Sequence, residues 1–196
     1  MEKRYVSIAP GLAVSSDFSV SRRLSEDGVT LSLRWSWNDR LRRVVLRQCN
    51  IDDPLGVRIR DISRLPIDQM VKSYEPELFS YAAGEAGTEL FGPLPRWNEV
   101  LQSVDFQELR SSGPSKQTLT WVARMHAVSL LFGLRPRNKL ICDSFGIPAR
   151  TASHWLTLAR LRVEAWESKL LPDPVTVHAE QDQDQAMETA MKLLLI

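Results

Sequence analysis

Residues 138–157 read NKLICDSFGIPARTASHWLT, and the spacing within this stretch decides what the C-terminal half can be. With Gly146 as a turn glycine, Ile141, Phe145, Ile147, Ala152 and Trp155 fall where two crossed helices bury their side chains. The small Cys142 falls where the helices approach most closely. Glycine suits such a turn because it takes positive φ without steric cost. The spacing predicts a helix-turn-helix whose second helix begins near Ala149. Its outward set is Ala149, Arg150, Ser153, His154 and Thr157, the side chains placed to face base edges in a DNA major groove. Arg150 is the expected base reader, since bidentate bonding to guanine is worth about 1–3 kcal/mol of discrimination. Arg135, Arg137 and Lys139 before and within the first helix, and Arg160 and Arg162 at the far end of the second, are the expected phosphate contacts. Phe145 and Trp155 are read as core rather than as stacking platforms.

Working outward, Leu119, Val122, Ala123, Ala127, Leu130 and Leu131 recur at helical spacing, which predicts a helix over residues 117–132 ended by Gly133. His126 on that helix is read as a surface or half-buried residue, not a ligand. Pro136 stands near the start of the next helix, expected from about Arg137. The second motif helix has no evident stop before Leu170 and is expected to continue through Ala159, Val163 and Trp166, until Pro172 and Pro174 end it. Past the polar, acidic run AEQDQDQ, the residues Met187, Ala190, Met191, Leu194 and Leu195 form a helical stripe. That stripe predicts a short amphipathic helix docked on its own domain or on a second subunit.

The N-terminal part reads as β. Val29, Leu31, Leu33, Trp35 and Trp37 alternate with Thr30, Ser32, Arg34 and Ser36, which is the period of a half-buried strand. Asn38-Asp39-Arg40 marks a turn, and residues 41–49 are the expected returning strand. Residues 5–8 and 12–14 add short strands. Arg34, Arg40, Arg42, Arg43 and Arg47 form either a solvated outer face or a second DNA contact surface. A turn is expected at 52–56, a strand at 57–62 and a short helix at 66–73. Pro76, Pro93 and Pro95, with Gly84, Gly87 and Gly92, predict an irregular connector, and residues 97–109 a helix. The fold class is therefore α+β. A β-rich N-terminal domain (1–110) is followed by a linker (111–116) that contains Ser-Ser-Gly-Pro-Ser (111–115), an all-α helix-turn-helix domain (117–171), and an acidic tail with a short amphipathic helix (172–196).

Hydrophobic residues make up 43% of the 196 and charged residues 25%, the balance of a globular chain rather than a disordered one. The net charge of +1 is uninformative, but its distribution is not. Residues 114–170 carry nine basic and three acidic side chains, while 49–113 carry six and eleven. The most basic block thus contains the motif, as phosphate binding requires. Cys49 and Cys142 make neither an expected disulfide nor a zinc site. His126, His154 and His178 are too widely spaced for a metal cluster, and the chain has no phosphate-binding glycine loop, nucleophile elbow or His-Glu-x-x-His. Catalysis, cofactors and metals are not expected. No apolar run approaches the about 18 residues that span a membrane, and the first residues lack a signal-peptide core, so the expected location is cytoplasmic.

Phe132-Gly133-Leu134-Arg135-Pro136, Phe145-Gly146-Ile147, Thr151-Ala152, Trp155 and Ala159-Arg160 carry a resemblance. Over residues 119–163 the chain resembles small helix-turn-helix DNA-binding proteins of actinobacteria and their phages. In that family a helix ends in glycine, a proline opens the next, and a Gly-Val-Ser turn precedes a Thr-Ala-x-x-Trp recognition helix. Ile62-Ser63-Arg64-Leu65-Pro66 resembles a segment that often precedes the family's variable middle. Two departures stand out: Pro148 replaces the family's capping serine, and Leu161-Arg162-Val163-Glu164 replaces its usual Gly-Leu-Leu ending. The resemblance implies sequence-specific double-stranded DNA binding, as a transcriptional regulator. The alternatives are a phage or mobile-element accessory factor for excision, replication or packaging, and a protein-interaction module built on the helical part. A homodimer is expected, because one short helix reads few bases. A protein partner through the N-terminal domain or the C-terminal helix is the further possibility.

Overall fold

The structure, a computed structural model, describes residues 5–23, 29–52, 56, 78–83, 89–91, 94, 96–163, 169–170 and 183–195. The expected strand at 57–62, the expected helix at 66–73, the segment 62–66, His178 and Pro172 and Pro174 lie outside them. The architecture is α+β, with two antiparallel sheets and a set of helices toward the C-terminus.

The first sheet begins with β1 (Tyr5–Ala9) and β2 (Leu12–Ser15), which pair antiparallel across the turn at Pro10 and Gly11. The second is a meander of β3 (Asp17–Arg23), β4 (Thr30–Asn38) and β5 (Arg43–Asp52). The alternation in β4 is realised side chain by side chain. Leu31, Leu33 and Trp35 are buried with Val20, while Ser32 and Arg34 face the other way. Phe18 stacks on Trp35 at 5.0 Å between ring centroids. The Asn38 side chain accepts from the Leu41 backbone N–H at 2.9 Å and so closes the β4–β5 turn, as turn asparagines do.

Residues 75–98 are not simply an irregular connector. They contain β6 (Phe79–Ala83) and β7 (Glu89–Phe91), which extend the first sheet. The prolines at 76, 93 and 95 flank these strands rather than interrupting them, and β6 finds its partner in β2, more than sixty residues earlier. Residues 97–109 form two helices instead of one, α1 (Trp97–Gln102) and α2 (Phe106–Ser111). Asp105 separates them because its carboxylate accepts from the backbone N–H groups of Gln107 and Glu108, at 3.0 and 2.9 Å, and so starts a new helix.

Helix α3 (Lys116–Leu131) starts on Ser115, whose hydroxyl accepts from the Thr118 backbone N–H. It ends before Gly133, which has φ +63°. Helix α4 (Lys139–Phe145) and helix α5 (Ala149–Arg162) follow, joined through Gly146 and Pro148. The expected run of α5 to Leu170 is a correction: the helix stops at Arg162, and Val163 is extended at φ −96°, ψ 122°. The reason is tertiary. Lys169 and Leu170 form β8, which pairs with the outer edge of β1, so the first sheet has the order β7-β6-β2-β1-β8. Helix α6 (Gln183–Leu195) then packs on β6 and β7, burying Ala190 and Leu194 of the expected stripe.

The expected linker at 111–116 is a short turn between α2 and α3, and apolar packing continues across it. One core contains Val6, Leu12, Phe79, Trp97, Trp121, Ile141, Phe145, Trp155 and Leu194. Rings step through it from sheet to helices: Phe79 to Trp97 (5.8 Å), Trp97 to Trp121 (6.3 Å), Trp121 to Phe106 (6.0 Å), Phe106 to Phe145 (4.9 Å) and Phe145 to Trp155 (5.4 Å). Burying such a side chain contributes about 1.5–3 kcal/mol, so the sheet and the helices stabilise one another.

Candidate nucleic-acid interface

The expected inward set of the α4–α5 unit is buried throughout: Ile141 and Ala152 are fully enclosed, with Phe145, Ile147 and Trp155 nearly so. Gly146 takes the left-handed conformation at φ 59°, ψ 38°, which closes α4 and turns the chain into α5. Its carbonyl accepts from Arg110 Nη1 at 3.0 Å, so α2 holds the turn from outside. Cys142 is half-buried, and burial pushes its thiol up, away from thiolate chemistry. Pro148 stands at the N-cap of α5 and offers no side-chain bond to the first turn, in keeping with its lack of a hydroxyl.

Ala152, Trp155 and Ala159 fix α5 against the core, and this sets what it presents outward. Ala149, Arg150, Ser153, His154 and Thr157 are all exposed. Two of the five have side chains engaged locally. The Thr157 hydroxyl donates to the Ser153 carbonyl at 3.1 Å, and Asn138 Nδ2 donates to Ser153 Oγ at 3.3 Å. Asn138 thereby ties the start of α4 to the open face of α5. The same face continues, eleven residues after Arg150, to Leu161, whose 76% exposure is far above that of any other large apolar residue described. The motif reading ended its outward set at Thr157 and left Leu161 out.

Of the expected phosphate contacts, Arg135, Arg137, Lys139, Arg160 and Arg162 are all exposed. Lys139 forms an i,i+4 ion pair with Asp143 at 2.7 Å. Arg137 and Arg160 converge with Arg42 on the mouth of a cleft of about 230 Å³. A second cleft is lined by Leu41 and Arg43 on one side and by Arg135 and Arg137 on the other. The tip of the β4–β5 hairpin therefore lies against the turn before α4, and cations from three separate stretches of sequence share one side of the molecule. The hairpin arginines divide in the process: Arg34 pairs with Asp17 and Arg47 donates to Ser36, whereas Arg42 and Arg43 stand at the clefts.

His126 is a correction. It is 4% exposed, not a surface or half-buried residue, because α3 is covered by the first sheet on one side and by α5 on the other. Burial pushes its pKa down to about 4, and the guanidiniums of Arg160 and Arg137 act in the same direction. Arg124, two residues earlier, is also buried. Its guanidinium donates to the carbonyls of Pro10 (2.9 Å) and Leu194, and lies 4.8 Å from the centre of the Trp121 ring. An arginine on an otherwise apolar helix face was the one available signal for this residue.

Among the described residues, no group of three or more His, Cys, Asp or Glu side chains comes together, and no helix is long and apolar enough to cross a membrane. No protein family, curated protein or solved structure matches this chain.

Proposed function

We propose that the chain binds double-stranded DNA sequence-specifically through α4 and α5, acting as a helix-turn-helix in transcription control. The observation behind this reading is the two-sidedness of α5. One side is locked into the core by Ala152, Trp155 and Ala159, and the other presents Arg150, Ser153, His154 and Thr157 to solvent beside a basic surface. Arg150 reads a base edge, and Ser153 and His154 contact bases or phosphates one turn on. Arg135, Arg137, Arg160 and Arg162 hold backbone phosphates, joined by Arg43 of the hairpin tip. Lys139 contributes less, because Asp143 already pairs with it. Two copies on adjacent half-sites would supply the specificity that one helix lacks. The same chemistry serves an accessory factor that marks a site for excision, replication or packaging.

A second reading rests on Leu161. An exposed leucine at the end of the outward stripe suits a protein partner better than a groove. Selection from random duplex DNA with the wild-type chain, Arg150→Ala and Leu161→Ser, at two salt concentrations, separates the readings. The DNA reading predicts enrichment of one site, relaxed in Arg150→Ala by about 1–3 kcal/mol at one base pair and unaffected in Leu161→Ser. Absence of duplex binding at low salt overturns it and leaves the protein-partner reading.

A further inference from the structure

The cleft between the β4–β5 hairpin, α3 and the turn before α4 is chemically divided. Its back wall is apolar, with Trp37 and Leu130 among the lining, and its mouth carries Arg42, Arg137 and Arg160. His126 lies at its base and is buried. The described residues that line it include no aspartate or glutamate. Arg42 and Arg137 make no ion pair among the described residues. A cavity of about 230 Å³ lies below the about 300–1,000 Å³ typical of drug-sized ligands, so its occupant is about the size of a single ring.

The backbone adds an independent sign. Arg42 sits at φ 48°, the only non-glycine residue described with positive φ. Hairpin turns fill such a position with glycine or asparagine, for which it is nearly free, whereas an arginine, whose Cβ crowds the following carbonyl, is strained there. The strain is tolerated where the side chain is wanted, and this side chain lines the cleft.

We infer that this cleft is a binding site for a small organic anion, one carboxylate or phosphate group on an apolar, ring-sized body. The anionic group sits between Arg42 and Arg137, where charge-assisted, bidentate bonding is available, and the body lies against Trp37 and Leu130. The surface of a DNA duplex does not satisfy the same geometry, because its phosphates cannot carry an apolar group to the back wall.

Calorimetric titration of the full chain with benzoate, with benzyl alcohol and with inorganic phosphate tests the site. Benzoate is expected to bind one to one, at least about tenfold more tightly than either the neutral ring or the bare anion. Arg42→Gly and Arg137→Met should each weaken benzoate by about 10- to 100-fold, the loss of a hydrogen bond to a charged group. Arg42→Gly relaxes the backbone while removing the cation, so its melting temperature should be unchanged or higher, which separates lost binding from lost folding. Lack of saturation by benzoate at millimolar concentration, or binding indifferent to both substitutions, overturns the inference. Phosphate binding as tightly as benzoate also overturns it, showing an open anion surface without use of the apolar wall. None of these titrations contains DNA, so the site is tested separately from DNA binding.

Discussion

Helices α3 and α5 lie side by side and are similar in length, sixteen and fourteen residues, yet their sequences answer to different demands. On α3 nearly every side is covered, and even its polar residues are enclosed: Thr118, Arg124, His126 and Ser129 are buried. Three of these have carbonyl partners in view. Thr118 donates to Leu109, Arg124 to Pro10 and Leu194, and Ser129 to Met125. On α5 only Ala152, Trp155 and Ala159 are buried. The identity of α3 residues is thus set by folding, while on the outward face of α5, apart from the bonds that Asn138 makes to Ala149 and Ser153, the side chains of Arg150 and His154 are not packed into the core. Side chains that stability does not require, held on a helix that stability does fix, are available for recognition.

The sharpest way to break this comparison is at the centre of α3. Trp121→Ala should cost about 3–5 kcal/mol in urea denaturation, because Trp97 and Phe106 both lose their packing partner. A loss under about 1 kcal/mol would mean that α3 is not the shared wall of the sheet and the helices. Arg124→Met keeps the apolar stem against Trp121 but strands the carbonyls of Pro10 and Leu194, and should cost about 2–4 kcal/mol.

Acid probes the same helix without mutation. His126 titrates near 6.5 in the unfolded chain but near 4 when folded. Between those values the unfolded state binds the extra proton, so stability should fall as pH drops from about 6.5 to about 4 and should be insensitive to this group above 6.5. The slope approaches about 1.4 kcal/mol per pH unit, which over this interval totals about 3–4 kcal/mol. Thermal melts across this range, compared with His126→Gln, check it: the variant should lack this component. The smallest effect is expected on α5, where Arg150→Ala and His154→Ala should each change stability by less than about 0.5 kcal/mol. A larger loss would show that the open face is structural after all.

Local periodicity made some of this legible. The alternation of Leu31, Leu33 and Trp35 revealed β4, and the Ile141-to-Trp155 spacing around Gly146 revealed the α4–α5 unit with its inward and outward faces. Strands β6, β7 and β8 were not legible, because two to five residues carry too little periodicity and, for β6 and β8, the partners β2 and β1 lie far away in sequence. The burial of His126 and Arg124 was hidden for a related reason. Helical spacing identifies one covered face, but only the tertiary arrangement adds the sheet on the other side. The basic residues were all visible as sequence; that Arg42 and Arg43 meet Arg135 and Arg137 was not, since the expected boundary at 111–116 placed them in different domains.

The pairing of β8 with β1 has a kinetic consequence. Val6 meets Leu170 and Ser7 meets Lys169, so the sheet acquires its last strand only after the chain has run through every helix from α1 to α5. Contacts of such long sequence separation slow folding, because the loop entropy is lost before the pairing is gained. During synthesis the edge of β1 stays without this partner until residue 170 has left the ribosome, and the helices assemble beside an incomplete sheet. Folding of this chain is therefore expected to be late and concerted rather than sequential from its N-terminus.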